Sequence, residues 1–214
     1  MTNIVQSGER HGAAPLLDEQ PGIAKRAMFF RRWLANPLQV GSVIPSSATL
    51  CRRVVEQVRC APDEAVLELG AGTGVISRAL LAAGLSPARL IVVEIVPSMA
   101  DHLRQILPGV TVIEGDARHV SDLIPARWKG RIGALICGIP LVLLPKPEQR
   151  RFIDAFEAVA PGRGFLHFSY CVTSPLPARQ HGLRARREAW TPINFPPASV
   201  WRYTPDRPGG AEVR

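Results

Sequence analysis

Between Ala65 and Val172 the chain repeats one alternation, a short run rich in β-branched residues followed by a longer run with helical spacing. The runs AVLELG, RLIVVEI, VTVIEG, RIGALICGI and GFLHFSYCV are interleaved with VISRALLAAG, PSMADHLRQILPG and PEQRRFIDAFEAVAPG. Strands that are apolar throughout have both faces buried, and parallel neighbours need a crossover helix between them. The pattern therefore predicts an α/β fold with a doubly wound, mostly parallel sheet. The helical runs stop at Gly84, at Pro108 and Gly109, and at Pro161 and Gly162, residues that leave or cannot continue a helix. After Pro175, LRARREAW and ASVWRY, joined by TPINFPP, predict an antiparallel hairpin on the sheet edge.

The 214 residues suffice for one sizeable core. Residues 1–20, polar and without periodicity, read as a disordered tail. Residues 21–60 read as an N-terminal segment of separate character, and residues 61–214 as the main domain. The longest apolar stretch, Ala134 to Pro145, falls short of the roughly 20 residues a membrane span needs. The N-terminus lacks the order of a secretory signal, so a cytoplasmic location is expected. Four scattered cysteines, with no CxxC pair and no histidine cluster, predict no metal centre. Twenty-six Lys and Arg against 18 Asp and Glu give +8, which favours polyanionic partners: nucleic acid, an anionic membrane face or phosphorylated substrates. The excess is N-terminal, since no acid occurs from Gln20 to Val55.

In an open α/β sheet, ligands bind beyond the carboxyl ends of the strands. The first such loop reads Glu68, Leu69, Gly70, Ala71, Gly72, Thr73, Gly74. Glycines at alternate positions let the backbone approach a ligand where a Cβ would collide. The third glycine comes one residue too early for the dinucleotide fingerprint GxGxxG, and Glu68 would repel a pyrophosphate. A carboxylate there suits an amino-acid ammonium, which favours S-adenosylmethionine over NAD. Glu94, followed by Ile95, ends the second strand, where an acid accepts ribose hydroxyls. Asp116, followed by Ala117, is placed to accept the adenine amino group or to cap the next helix.

Together these residues resemble the class I S-adenosylmethionine-dependent methyltransferases, whose first motif reads ExGxGxG. The resemblance implies their Rossmann-like sheet and S-adenosylmethionine as cofactor, with S-adenosylhomocysteine as product. Three further stretches, FFRRWLANPLQVGSVIPSSATLCRRVV, CGIPLVLLP and NFPPASVWRY, resemble the bacterial phospholipid N-methyltransferases, relatives of the rRNA adenine dimethylases. That likeness implies stepwise methylation of phosphatidylethanolamine, through its mono- and dimethyl derivatives, to phosphatidylcholine at the inner leaflet. It also implies a lid over the cofactor containing Gln39 and Ser42. CGIPL stands where amino-methylating relatives carry a polar residue, Pro and an aromatic. Here Gly138 and Leu141 replace the polar and aromatic positions, which disfavours a stacked base and favours an aliphatic amine. By that likeness Cys137 and Gly138 offer backbone acceptors, and Pro140 fixes their direction. Tyr170, at the end of the fifth strand, is the candidate for contacting the amine or phosphate, while His167 reads as core.

On a helical projection of Gly22 to Ala35, Phe29, Phe30 and Trp33 belong to or flank an apolar stripe, with Lys25, Arg31 and Arg32 off it and Arg26 inside it. Aromatic and basic residues around an apolar face describe a helix lying in an anionic membrane interface. The expected partners are lipid substrate and anionic membrane, not nucleic acid, and the expected state is a monomer. The alternative reading is an rRNA or other nucleic-acid adenine N6-methyltransferase, or a cofactor-binding regulator associated with RNA.

Overall fold

The computed structural model describes residues 48–169, 174–191 and 197–206. Their seven strands form one sheet of order β3-β2-β1-β4-β5-β7-β6. The strands are β1 (Ala65–Leu69), β2 (Leu90–Glu94), β3 (Thr111–Glu114), β4 (Ile132–Cys137), β5 (Phe165–Ser169), β6 (Leu183–Thr191) and β7 (Ala198–Pro205). β1 to β5 pair in parallel, whereas β7 runs antiparallel between β5 and β6. The helices are α1 (Ala48–Glu56), α2 (Val75–Ala82), α3 (Pro97–Ile106), the short α4 (Val120–Leu123) and α5 (Lys146–Val159).

Side-chain alternation sends the strands' apolar residues to two cores. Leu67, Leu69, Ile91, Val93 and Leu135 pack with Phe152 and Phe156 of α5 and Val120 of α4. Val66, Val92 and Ile136 face the other way, against Leu50 and Val54 of α1, Ile76 and Leu80 of α2, and Leu103 of α3. β1, β2 and β4 are buried at every position, as their unbroken apolar runs require.

The hairpin lies on the expected edge. Of the four arginines from Arg179 to Arg187, three lie on β6. Arg184 bonds Asp206, Arg186 bonds Glu188, and Arg187 lies over the Trp190 and Trp201 rings. Tyr203 is fully buried, stacked on Phe165, with its hydroxyl 2.9 Å from that of Ser174. No helix among the described residues is long and apolar enough to cross a membrane.

Candidate functional site

The strand order reverses direction between β1 and β4, and a glycine-rich turn lies at the carboxyl end of β1. Gly70, Gly72 and Gly74 all take left-handed conformations. At Gly70 (φ +72°) a Cβ would also lie 2.9 Å from Ile139 Cγ1. Gly138 meets the turn from the other side, where its Cβ would stand 2.5 Å from the Gly70 carbonyl oxygen. Hydrogen bonds stitch the strand ends together: Gly70 N–H donates to Val93 O (2.8 Å), Gly138 N–H to Leu69 O (2.8 Å), and Gly115 N–H to Glu94 O (3.0 Å).

Both acids are buried. The Glu94 oxygens accept the N–H groups of Gly72 and Val96, each at 3.0 Å, so this side chain holds the glycine turn in place and keeps further lone pairs on each oxygen. Glu68 points to the α2 side of the sheet and accepts the Ser77 hydroxyl. Burial pushes its carboxyl up to about 7, with the Ser77 hydrogen bond opposing the rise and the Glu94 charge adding to it. Between its ordinary value of 4.5 and about 7, the folded chain holds this proton and the unfolded chain does not. Stability from this group is therefore full below pH 4.5, falls as pH rises through that window, and is level above it. Glu68→Gln is expected to flatten the slope, raising stability at pH 8 by on the order of 3 kcal/mol. Urea unfolding of both proteins at pH 5 and pH 8 checks this, and parallel declines would contradict it.

Asp116 caps the turn Ala117–His119 by accepting Arg118 N–H (2.9 Å), the second of its two sequence readings. It also pairs with the Arg118 guanidinium, which reaches Glu148 of α5 at 3.0 Å and lies 5.8 Å from the Phe152 ring centroid. Burial would raise the Asp116 carboxyl, but the Arg118 contacts outweigh it and hold the group below its ordinary range. Asp116 and Ala117 still line a pocket with Gly70, Val93, Ile95 and Ile139. A larger cavity between α5 and the hairpin, lined by Arg150, Asp154 and His181, touches none of these residues.

Beyond β4, Pro140 (φ −76°, ψ 69°) sits in a tight turn with Leu141 N–H donating to Ile139 O at 2.8 Å. The sequence reading of Cys137 as a carbonyl acceptor is altered here, because its oxygen lies 2.9 Å from Nδ1 of buried His167. Burial keeps that imidazole neutral, with its pKa lowered to about 4, so Nδ1–H donates. His167 is thus core, as its sequence reading has it, and also holds the Cys137 carbonyl at the start of the segment. The Cys137 thiol is pushed up to about 12 by burial and stays protonated. Leu141 is fully buried, so no side chain at the expected aromatic position faces a ligand.

Sequence reasoning missed Gln149. Its side-chain nitrogen donates to the carbonyls of Leu141 (3.1 Å) and Leu144 (2.9 Å), and its oxygen pairs with Nε2 of His181 at 2.8 Å. Among the described residues no cluster of His, Cys, Asp and Glu is placed to hold a metal. Tyr170, the lid residues Gln39 and Ser42, and the basic aromatic residues Lys25, Arg26, Phe29, Phe30, Arg31, Arg32 and Trp33 lie outside the described residues.

Residues 66–163 match the model of the methyltransferase domain family. Ornithine lipid N-methyltransferase of Singulisphaera acidiphila is 27% identical over 180 residues, covering 81% of this chain and 93% of that protein. Ribosomal RNA small subunit methyltransferase A of Chlorobium phaeobacteroides is 33% identical over 83 residues, which is 39% of this chain and 30% of that protein. A TehB-like S-adenosylmethionine-dependent methyltransferase of Corynebacterium glutamicum shares the fold, with a TM-score of 0.52 at 14% identity over 86% of this chain and all of that one. The fold is the Rossmann-like one of the class I S-adenosylmethionine-dependent methyltransferases, and residues 66–163 match a methyltransferase domain.

Proposed function

We propose that the protein methylates the primary amine of a membrane aminolipid, phosphatidylethanolamine first and then its mono- and dimethyl forms, towards phosphatidylcholine. The observation that carries this reading is the similarity to an ornithine lipid N-methyltransferase along 93% of that protein, well beyond the methyltransferase domain. The shared chemistry is an aliphatic amine on a lipid. Burial of Leu141 supports it, since a planar base would find no side chain to stack on there.

The residues present fit S-adenosylmethionine, because the backbone around Gly70 and Gly138 leaves no room for side chains and turns towards a pocket lined by Ile95, Asp116 and Ala117. The cofactor supplies an electrophilic methyl group on a sulfonium. In this reading Glu68 provides the negative charge for the amino-acid end, and the turn Gly70, Ala71, Gly72 and Gly74 follows that end with backbone alone. Glu94 and Ile95 take the ribose. Asp116, oriented by Arg118, takes the adenine amino group, with Ala117 against the ring. The segment Cys137, Gly138 and Pro140 directs the amine, with Gly138 O as the backbone acceptor. Tyr170 contacts the amine or phosphate, Gln39 and Ser42 cover the cofactor, and Lys25 to Trp33 hold the membrane.

The attacking nitrogen needs a free lone pair in line with the methyl, so fixed backbone and exclusion of water supply much of the rate. The experiment is mass spectrometry of lipids from a phosphatidylcholine-free host expressing the chain. Mono-, di- and trimethylated phosphatidylethanolamine are expected. Methylated ornithine lipid alone would move the substrate, and methylated RNA with unchanged lipid would overturn the reading.

A further inference from the structure

We propose that the turn Leu141–Leu143 is a docking tip that seats the protein on an anionic lipid bilayer beside the candidate site. This rests on the lipid reading above and adds the surface by which the lipid is reached. Three large apolar side chains stand exposed among the described residues, and two are neighbours here, Val142 (40%) and Leu143 (38%). Leu141 is fully buried and anchors the turn, so its neighbours cannot roll inwards. Beneath it, the Gln149 amide grips the carbonyls of Leu141 and Leu144 while His181 grips Gln149. A satisfied buried polar network fixes local backbone, and here it fixes an apolar pair in water.

The surrounding charge matches a lipid surface. The charges of α5 balance over its length, but its three cations (Lys146, Arg150, Arg151) all lie in its first six residues, next to the tip, while Asp154 and Glu157 follow further along and Glu148 alone is an acid among them. All three cations are exposed, whereas Glu148 is half-buried and shared between Arg118 and Arg151; Arg150 also bonds Asp154. Aliphatic side chains at the acyl boundary with cations at phosphate height is the chemistry of interfacial binding. RNA would use the cations but gains nothing from Val142 and Leu143. The tip begins three residues after Gly138, so docking here brings a headgroup to the carboxyl ends of β1 and β4.

The test uses the full chain carrying Val142→Asp with Leu143→Asp, on vesicles of phosphatidylglycerol and phosphatidylcholine that hold no primary amine. Partition is expected to fall at least about tenfold, with S-adenosylmethionine affinity by calorimetry within twofold of the parent. Methyl transfer to vesicle-borne phosphatidylethanolamine should fall alike, while transfer to a short-chain phosphatidylethanolamine below its micelle concentration stays within twofold. Unchanged partition overturns the proposal. So does equal loss on both substrates, which would make the pair part of the site, or lowered thermal stability with unchanged partition, which would mean another part of this chain covers the pair. If the parent methylates no lipid in either form yet the variant loses vesicle binding, the substrate reading fails and the docking tip stands.

Discussion

Glu68→Ala is expected to abolish measurable binding of S-adenosylmethionine while the sheet stays folded. The Glu68 carboxylate is buried beside the glycine turn and held by the Ser77 hydroxyl, with the like charge of Glu94 acting on it. Two acids in one buried region disfavour each other's ionisation, and the ammonium of the bound ligand relieves that cost. Removing one partner of a buried charged hydrogen bond costs several kcal/mol, so the dissociation constant should rise about a hundredfold or more. Ser77→Ala, which leaves the carboxyl in place but removes the hydrogen bond that opposes its protonation, should weaken binding by less than tenfold. Titration calorimetry with S-adenosylhomocysteine decides the matter, together with circular dichroism to confirm the fold. Undiminished affinity in the Glu68→Ala protein would remove Glu68 from the site.

Gly138→Ala should be nearly as damaging through geometry instead of charge. The new Cβ would stand 2.5 Å from the Gly70 carbonyl oxygen, and that neighbour is backbone, which cannot swing aside. The ends of β1 and β4 would have to separate, breaking the register set by the bond from Gly138 to Leu69. Overpacking of this kind costs about 1–3 kcal/mol of stability. Displacement of the reacting geometry by about 1 Å costs on the order of a hundredfold in rate. Gly130→Ala makes the comparison: Gly130 (φ +72°) carries a left-handed strain that Gly138 does not, but no atom lies within 4 Å of its Cβ, so turnover should be unaffected. Equal activities in the two variants would show that the close approach at Gly138 is not what orders the site.

The parallel strands were legible because burial on both faces leaves nearly continuous apolar runs, as in β2 and β4. The glycine turn was legible for a related reason, since few other functions demand three glycines after a buried strand. Less visible were features that depend on pairing across the chain. Asp116 could be read as a ligand or as a cap; the Arg118 N–H at 2.9 Å makes it a cap, and the pairing of the Arg118 side chain with Glu148, 30 residues on, is what had no local signal. Gln149 and His181 lie 32 residues apart, and neither carries a local signal of the other. His167 read as core and is buried, but nothing in sequence told that β5 would set it opposite Cys137. The short α4 escaped because four residues are too few to show a period.

The placement of β7 between β5 and β6 bears on how the protein is made. β6 precedes β7 in the chain, yet among the described residues its hydrogen-bonding partner within the sheet is β7 alone. On the ribosome, β6 therefore emerges with no neighbour to accept it and stays unzipped until residues 198–205 have followed. Such a bare strand invites pairing with other nascent chains. Its run of arginines, Arg184, Arg186 and Arg187, keeps it repelled from copies of itself during that wait.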